Sequence, residues 1–182
     1  MKPMKINMAC GWRDFGKDWI HIDGGDYPHL DSYDITKLEY EDNTISLIYC
    51  SHAIEYFDRE EIKPILAEWR RVLAPNGILR LAVPDFKVMN KLYSKGLSLQ
   101  YFLGPLYGRM PMSNQTIYHK TTYDFDSLAL LLSTAGFKSI KRYNWQETEH
   151  AKFDDHSQAY IPHMDKENGT LISLNVECIK GE

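Results

Sequence analysis

The residues best placed for chemistry lie near the start of the chain, in KINMACGWRDFGKDWIHID, residues 5–23. One apolar run there ends in Ala9, Cys10 and Gly11, and a second ends in Asp23. A strand that ends in small residues lets a ligand approach the backbone, and a carboxylate at the end of the neighbouring strand can accept both hydroxyls of a ribose. The spacing reads as a nucleoside site. A turn glycine followed by a strand-ending acid also occurs without any ligand, so the surrounding elements must supply the support.

Those elements alternate. Residues 5–10, 19–22, a weaker 32–35, 45–50 and 77–83 are short apolar runs separated by turns and by one strong helical pattern, which predicts a buried parallel sheet of the α/β class. In the helix, Ile62, Ile65, Leu66, Trp69, Val72 and Leu73 share a face, with Glu68, Arg70 and Arg71 off it. Asp58 and Glu61 resemble a capping box, and Pro64 requires either a helix start near Glu61 or a bend. Ala74-Pro75-Asn76-Gly77 is helix-stop chemistry leading into a strand. A second helix is framed by Asp124 or Asp126 and Gly136 and is followed by a strand over 139–145. At 172–178, Ile172, Leu174, Val176 and Cys178 alternate with polar residues, which predicts an antiparallel strand near the sheet edge. Two stretches, 97–122 and 146–169, resist regular structure and are expected to act as lids that hold the substrate.

The 182 residues suit one domain spanning 1–182. A formal charge of −4 with no basic run argues against a dedicated nucleic-acid binder. Cys10, Cys50 and Cys178 form no Cys-x-x-Cys pair and fit reduced thiols in the cytoplasm. No signal peptide or run long enough to span a membrane is seen.

Taken in order, NMACG, WIHID, YDITKLEYEDNTISLIYCSHAIEYF, EWRRVLAPNGILRLAVPD, TYDFDSLALLLSTAGFKSI and SLNVECIK resemble the class I S-adenosylmethionine-dependent methyltransferases, over most of the chain. The resemblance implies a Rossmann-like sheet of order 3-2-1-4-5-7-6 with strand 7 antiparallel, and S-adenosylmethionine as cofactor. It implies that Ala9, Cys10 and Gly11 lie under the amino-acid part of the cofactor. By the same resemblance Asp23 takes the ribose, Asp34 with Ile35 reads the adenine, and Ser51 and His52 stand beside the sulfonium. Asp34 has an equal alternative as a turn acid, and Asp23 a weaker one as a strand terminator.

The chain departs from the family in three ways. Asn7 stands where an acid is usual, Ala9 stands where a glycine is usual, and 11–18 is too short for the helix of a normal parallel crossover. The first helix is therefore expected to shrink to about a turn, with Trp12 and Phe15 plugging the sheet face. Trp12 has the alternative of contacting the cofactor's cation.

His119 is the first candidate for a general base and His52 the second, since imidazole accepts a proton near neutral pH. A hydrogen bond tying the lid to the sheet is the competing role for His119. His150, Asp154, Asp155 and His156 have metal-competent side chains but match no strong metal spacing, so no metal is expected. The function expected is methyl transfer to a small-molecule or glycan-like acceptor. The alternative is a non-catalytic module that kept the fold and binds the cofactor or another ligand. A nicotinamide-dependent oxidoreductase is disfavoured, because G-x-G-x-x-G is absent.

Overall fold

The computed structural model describes residues 4–112 and 115–182. In chain order the elements are β1 (Met4–Met8), β2 (Ile20–Ile22), β3 (Ile45–Ser51), α1 (Ile62–Val72), β4 (Leu73–Pro84), α2 (Phe86–Ser94), α3 (Gln100–Tyr107), β5 (Met110–Met112), β6 (Gln115–Ile117), α4 (Phe125–Thr134), β7 (Lys138–Arg142), β8 (Tyr160–Ile161), β9 (Thr170–Leu171) and β10 (Ser173–Ile179). Six strands make the main sheet, in the order β2-β1-β3-β4-β10-β7. The first four are parallel, and β10 runs antiparallel to both β4 and β7. The antiparallel late strand is thus where its alternation places it.

The expected strand at 32–35 does not form. Only Ser32 bridges to Ile22. Asp31 instead accepts the His21 N–H at 2.8 Å, and Asp34 accepts both the N–H and the hydroxyl of Thr36. Such local side-chain bonds favour turns over a ladder, so the order begins at strand 2 of the expected 3-2-1-4-5-7-6.

Helix α1 begins at Ile62, which leaves Pro64 in its first turn where no N–H is needed. Asp58 and Glu61 bond each other's backbone N–H reciprocally. The stop at 74–77 becomes a bulge inside β4: pairing with β3 jumps from Ile45↔Leu73 to Leu47↔Ile78. Gly77 is required there, because a Cβ would lie 2.8 Å from Ala74 O and 3.0 Å from Ile45 O. Helix α4 is capped by Asp124 with Ser127 in a reciprocal box.

The two faces of the sheet are covered differently. Ile6, Met8, Ile48, Cys50, Leu79, Leu81, Leu174 and Val176 point to one face and meet Ile62, Leu66 and Trp69 of α1 and Leu128 and Leu132 of α4. No helix lies in the connection between β1 and β2, in agreement with the short crossover. On that face Phe15 packs with Trp19, Leu47 and Tyr49, and Phe153 stacks on it at 4.5 Å. Trp12, expected to share the plug, is 67% exposed, with the Arg13 guanidinium 4.9 Å from its ring. The chain reverses at Gly11–Arg13, where Arg13 N–H donates to Cys10 O, and this turn directs Trp12 outward.

The stretch 97–122 is more regular than expected. It holds α3 and the β5–β6 hairpin, with residues 113 and 114 of that stretch outside the described residues. The helix α2 was not expected. It starts at Asp85, whose side chain accepts the Val88 N–H, and packs Met89 against Phe102, Ile161 and Ile172. The stretch 146–169 is two short 3-10 turns and β8, laid over the face that has no helix. No described helix is long and apolar enough to cross a membrane.

Candidate functional site

The parallel strands β1, β2 and β3 deliver their carboxyl ends to one rim. There Ala9 and Gly11 take positive φ, 52° and 56°, forming the turn that the small residues permit. Asp23 binds that turn directly: one carboxylate oxygen accepts the Gly11 N–H at 2.8 Å and the other accepts the Gly25 N–H at 2.7 Å. Each oxygen keeps a second lone pair, so the carboxylate can hold its loops and still accept two hydroxyls. A Cβ on Gly24 would come within 3.1 Å of Met112 Cε, so the β5–β6 hairpin reaches the same rim. Ser51, at the end of β3, buries a hydroxyl with no protein partner among the described residues. Together these features fit a nucleoside-bearing cofactor.

Other residues at the rim also make contacts within the protein. Asn7 is buried and donates to Arg13 O at 3.2 Å, clamping the turn. Cys10 is buried, and burial with the nearby Asp23 pushes its thiol up to about 12, so it stays protonated. Asp34 is exposed, and its Thr36 hydrogen bonds hold its carboxyl below the ordinary range, which is turn-acid geometry. The Ile35 carbonyl accepts the Trp69 indole N–H at 2.7 Å, fixing that turn to α1.

Beside this rim opens a cavity of about 620 Å³. It brings together His52 and His119, which are 67 residues apart in the chain, and adds His156, Arg13 and Arg109. His52, with φ 50°, follows β3 and has its Nε2 3.1 Å from Ser173 Oγ. Burial, His156 and His119 push its pKa well down, so the ring is neutral at pH 7. His119 turns Nδ1 to Pro105 O at 3.0 Å and Nε2 toward Glu55 at 3.8 Å, with Tyr56 edge-on at 4.5 Å. Burial lowers its pKa as well. These contacts tie the segment after the hairpin to α3 and to Glu55. A larger groove, about 980 Å³, runs between α1 and α4 and contains none of these site residues.

Three features escape sequence reasoning. Glu55 is 1% exposed, neither carboxylate oxygen has a hydrogen-bond partner among the described residues, and burial pushes its pKa up to about 8. It lies between His52 Nδ1, at 3.7 Å, and His119. Its signal was an acid inside the apolar stretch HAIEYF. Arg13 donates from Nε to Asp154 O at 2.7 Å, linking the first turn to the segment over the open face. His156 lies against His52 with ring centres 5.2 Å apart and planes tilted by 37°. Its backbone is anchored because Asp155 accepts the Tyr49 hydroxyl at 2.6 Å and the Ser157 N–H at 2.8 Å.

The four metal-competent residues separate in space. His150 stacks on Phe15 and tilts against Tyr49, Asp155 binds Tyr49, Asp154 faces Lys166 at 3.1 Å, and His156 lines the cavity. Among the described residues no three His, Cys, Asp or Glu side chains are grouped to hold a metal ion.

Residues 18–81 match the family model described as a methyltransferase domain. The whole chain superposes on solved structures of that kind. A SAM-dependent methyltransferase from Methanosarcina mazei matches with a TM-score of 0.56 at 15% identity, covering 98% of this chain and 92% of that one. This is a methyltransferase fold. One from Archaeoglobus fulgidus matches with a TM-score of 0.58 at 12% identity, over 97% and 86% of the two chains. The Burkholderia thailandensis 1,6-didemethyltoxoflavin-N1-methyltransferase, solved with that compound and S-adenosylhomocysteine bound, matches with a TM-score of 0.57 at 14% identity, over 100% and 72%. No curated protein sequence matches the chain. The sequence match thus covers residues 18–81, and the shared fold extends over nearly the whole chain.

Proposed function

We propose that the protein transfers a methyl group from S-adenosylmethionine to a small-molecule or glycan-like acceptor. The observation that carries the reading is the Asp23 carboxylate just after β2, which closes the Ala9–Gly11 turn that follows β1 and keeps lone pairs for a ribose. The Burkholderia neighbour holds a small acceptor and S-adenosylhomocysteine in the same fold, which supports both halves of the reading.

In this reading Ala9, Cys10 and Gly11 present backbone to the amino-acid part of the cofactor, Asp23 accepts its ribose, and Asp34 and Ile35 flank the adenine. When bound, the cofactor supplies a methyl group on a sulfonium. The protein then aligns the acceptor and takes its proton. His52 and His119 are the proposed proton acceptors. Both rings are neutral at pH 7, as a base requires. The segments at 97–122 and 146–169 act as lids over one domain. Three free, buried cysteines suit a reducing compartment, here the cytoplasm.

Calorimetric titration with S-adenosylhomocysteine tests the reading. Binding is expected, weakened several-fold in Asp23→Asn, and absence of heat at millimolar ligand overturns it. The second reading, a binding module without turnover, draws on the missing first helix and on the engagement of His119 Nδ1 by the Pro105 carbonyl. It predicts cofactor binding with no methylated product from any acceptor.

A further inference from the structure

We propose that the cavity beside His52 takes a small acceptor bearing a carboxylate or phosphate group, whose charge is held by the guanidinium groups of Arg13 and Arg109. Both arginines line the cavity, and neither is ion-paired with a carboxylate among the described residues. Arg13 lies over the Trp12 ring and hydrogen-bonds only through Nε, to Asp154 O, so its other nitrogens remain available for a forked bond to an anion.

Two acids, Asp154 and Asp155, share the cavity lining, and neither is ion-paired with Arg13 or Arg109. Asp155 is taken by Tyr49 and Ser157, and Asp154 faces Lys166. The chain as a whole carries −4, so two unpaired cations on one cavity are a local feature and not the background. Tyr101, Ile161, Met164 and Ile172 supply apolar wall. A volume of about 620 Å³ with apolar wall and two arginines in its lining suits a small organic anion. The acceptor role rests on the methyltransferase reading, whereas anion binding does not.

The test uses the full chain saturated with S-adenosylhomocysteine, titrated with phenyl phosphate, benzoate and neutral benzyl alcohol while the histidine ring signals are followed by NMR. The expected result is saturable shifts of the His156 and His119 signals with at least one anion, about tenfold tighter than with benzyl alcohol. Arg109→Gln is expected to weaken the anion about tenfold and leave S-adenosylhomocysteine affinity unchanged. Arg13→Gln should weaken the anion by a similar factor. The better of phenyl phosphate and benzoate identifies the group recognised. Equal binding of anion and alcohol, no shift at about 10 mM anion, or anion affinity unchanged in both variants overturns the proposal. Anion binding by a chain that fails to bind S-adenosylhomocysteine leaves this site standing and overturns the methyltransferase reading instead.

Discussion

On one face of the sheet Ile48, Leu79, Leu81 and Val176 meet Trp69 and Leu132 from two amphipathic helices; on the other, Tyr49, Arg80 and Asn175 meet Phe15, His150 and Asp155 from connecting segments. The first face is held by area removed from water, which is non-directional and tolerant of detail. The second is held by named pairs: Tyr49 to Asp155, Asn175 Nδ2 to Ser157 O at 2.9 Å, and Arg80 to Glu149 at 2.9 Å and to Glu177 at 3.1 Å. Directional bonds hold a covering segment in one register without a helix. Here that register carries His156 to the rim of the cavity.

Mutations on the two faces should therefore fail differently. Trp69→Ala removes a side chain with no exposure, together with its hydrogen bond to Ile35, and should cost about 3–5 kcal/mol in denaturant unfolding. Phe15→Ala on the other face should cost about 3 kcal/mol, while Trp12→Ala, exposed one turn away, should stay within about 0.5 kcal/mol. Equal effects for Phe15 and Trp12 would refute the plug assignment.

Beyond the end of β3, Glu55 sits between His52 and His119. Its folded pKa of about 8 lies above the ordinary 4.5, so the native state holds the proton more tightly than the unfolded chain. Stability is then lost as pH rises from about 4.5 to about 8, by up to about 1.4 kcal/mol per pH unit. Glu55→Gln should flatten that slope, read from chemical denaturation at several pH values.

A single hydroxyl gives the effect most specific to the second face. Tyr49→Phe keeps the ring and removes the hydroxyl from Asp155, costing about 1–3 kcal/mol. Amide exchange should rise across 150–158 more than in α1 or α4. A uniform rise over both faces would mean that the Tyr49 bond does not hold the segment locally.

Much of the first face was legible because its physics is periodic. Ile62, Ile65, Leu66, Trp69 and Val72 repeat at helical spacing, and all five are buried. The alternation at the end of the chain likewise yields β10, with Leu174, Val176 and Cys178 turned to the helices. The second face has no such period, since Phe15, His150 and Asp155 come from irregular segments. The strand at 32–35 failed for a related reason: Asp31 and Asp34 spend their carboxylates on nearby N–H groups, a competition that apolar content does not reveal.

The candidate site divides the same way. Ala9, Gly11 and Asp23 are close in sequence, and small residues and an acid at strand ends announce their geometry; the tertiary structure adds the hydrogen bond that joins them. Whether Asp34 acts as a turn acid, how Glu55 loses its solvent, and which histidines share a cavity depend on contacts between residues far apart in the chain. Sequence alone determined the α/β class, the helix-covered face and the glycine–aspartate rim, because local patterning and chain connectivity suffice for each. Only the tertiary structure decided which residues join Phe15 over the other face and which charges meet at the cavity, because burial and electrostatics are properties of neighbours in space.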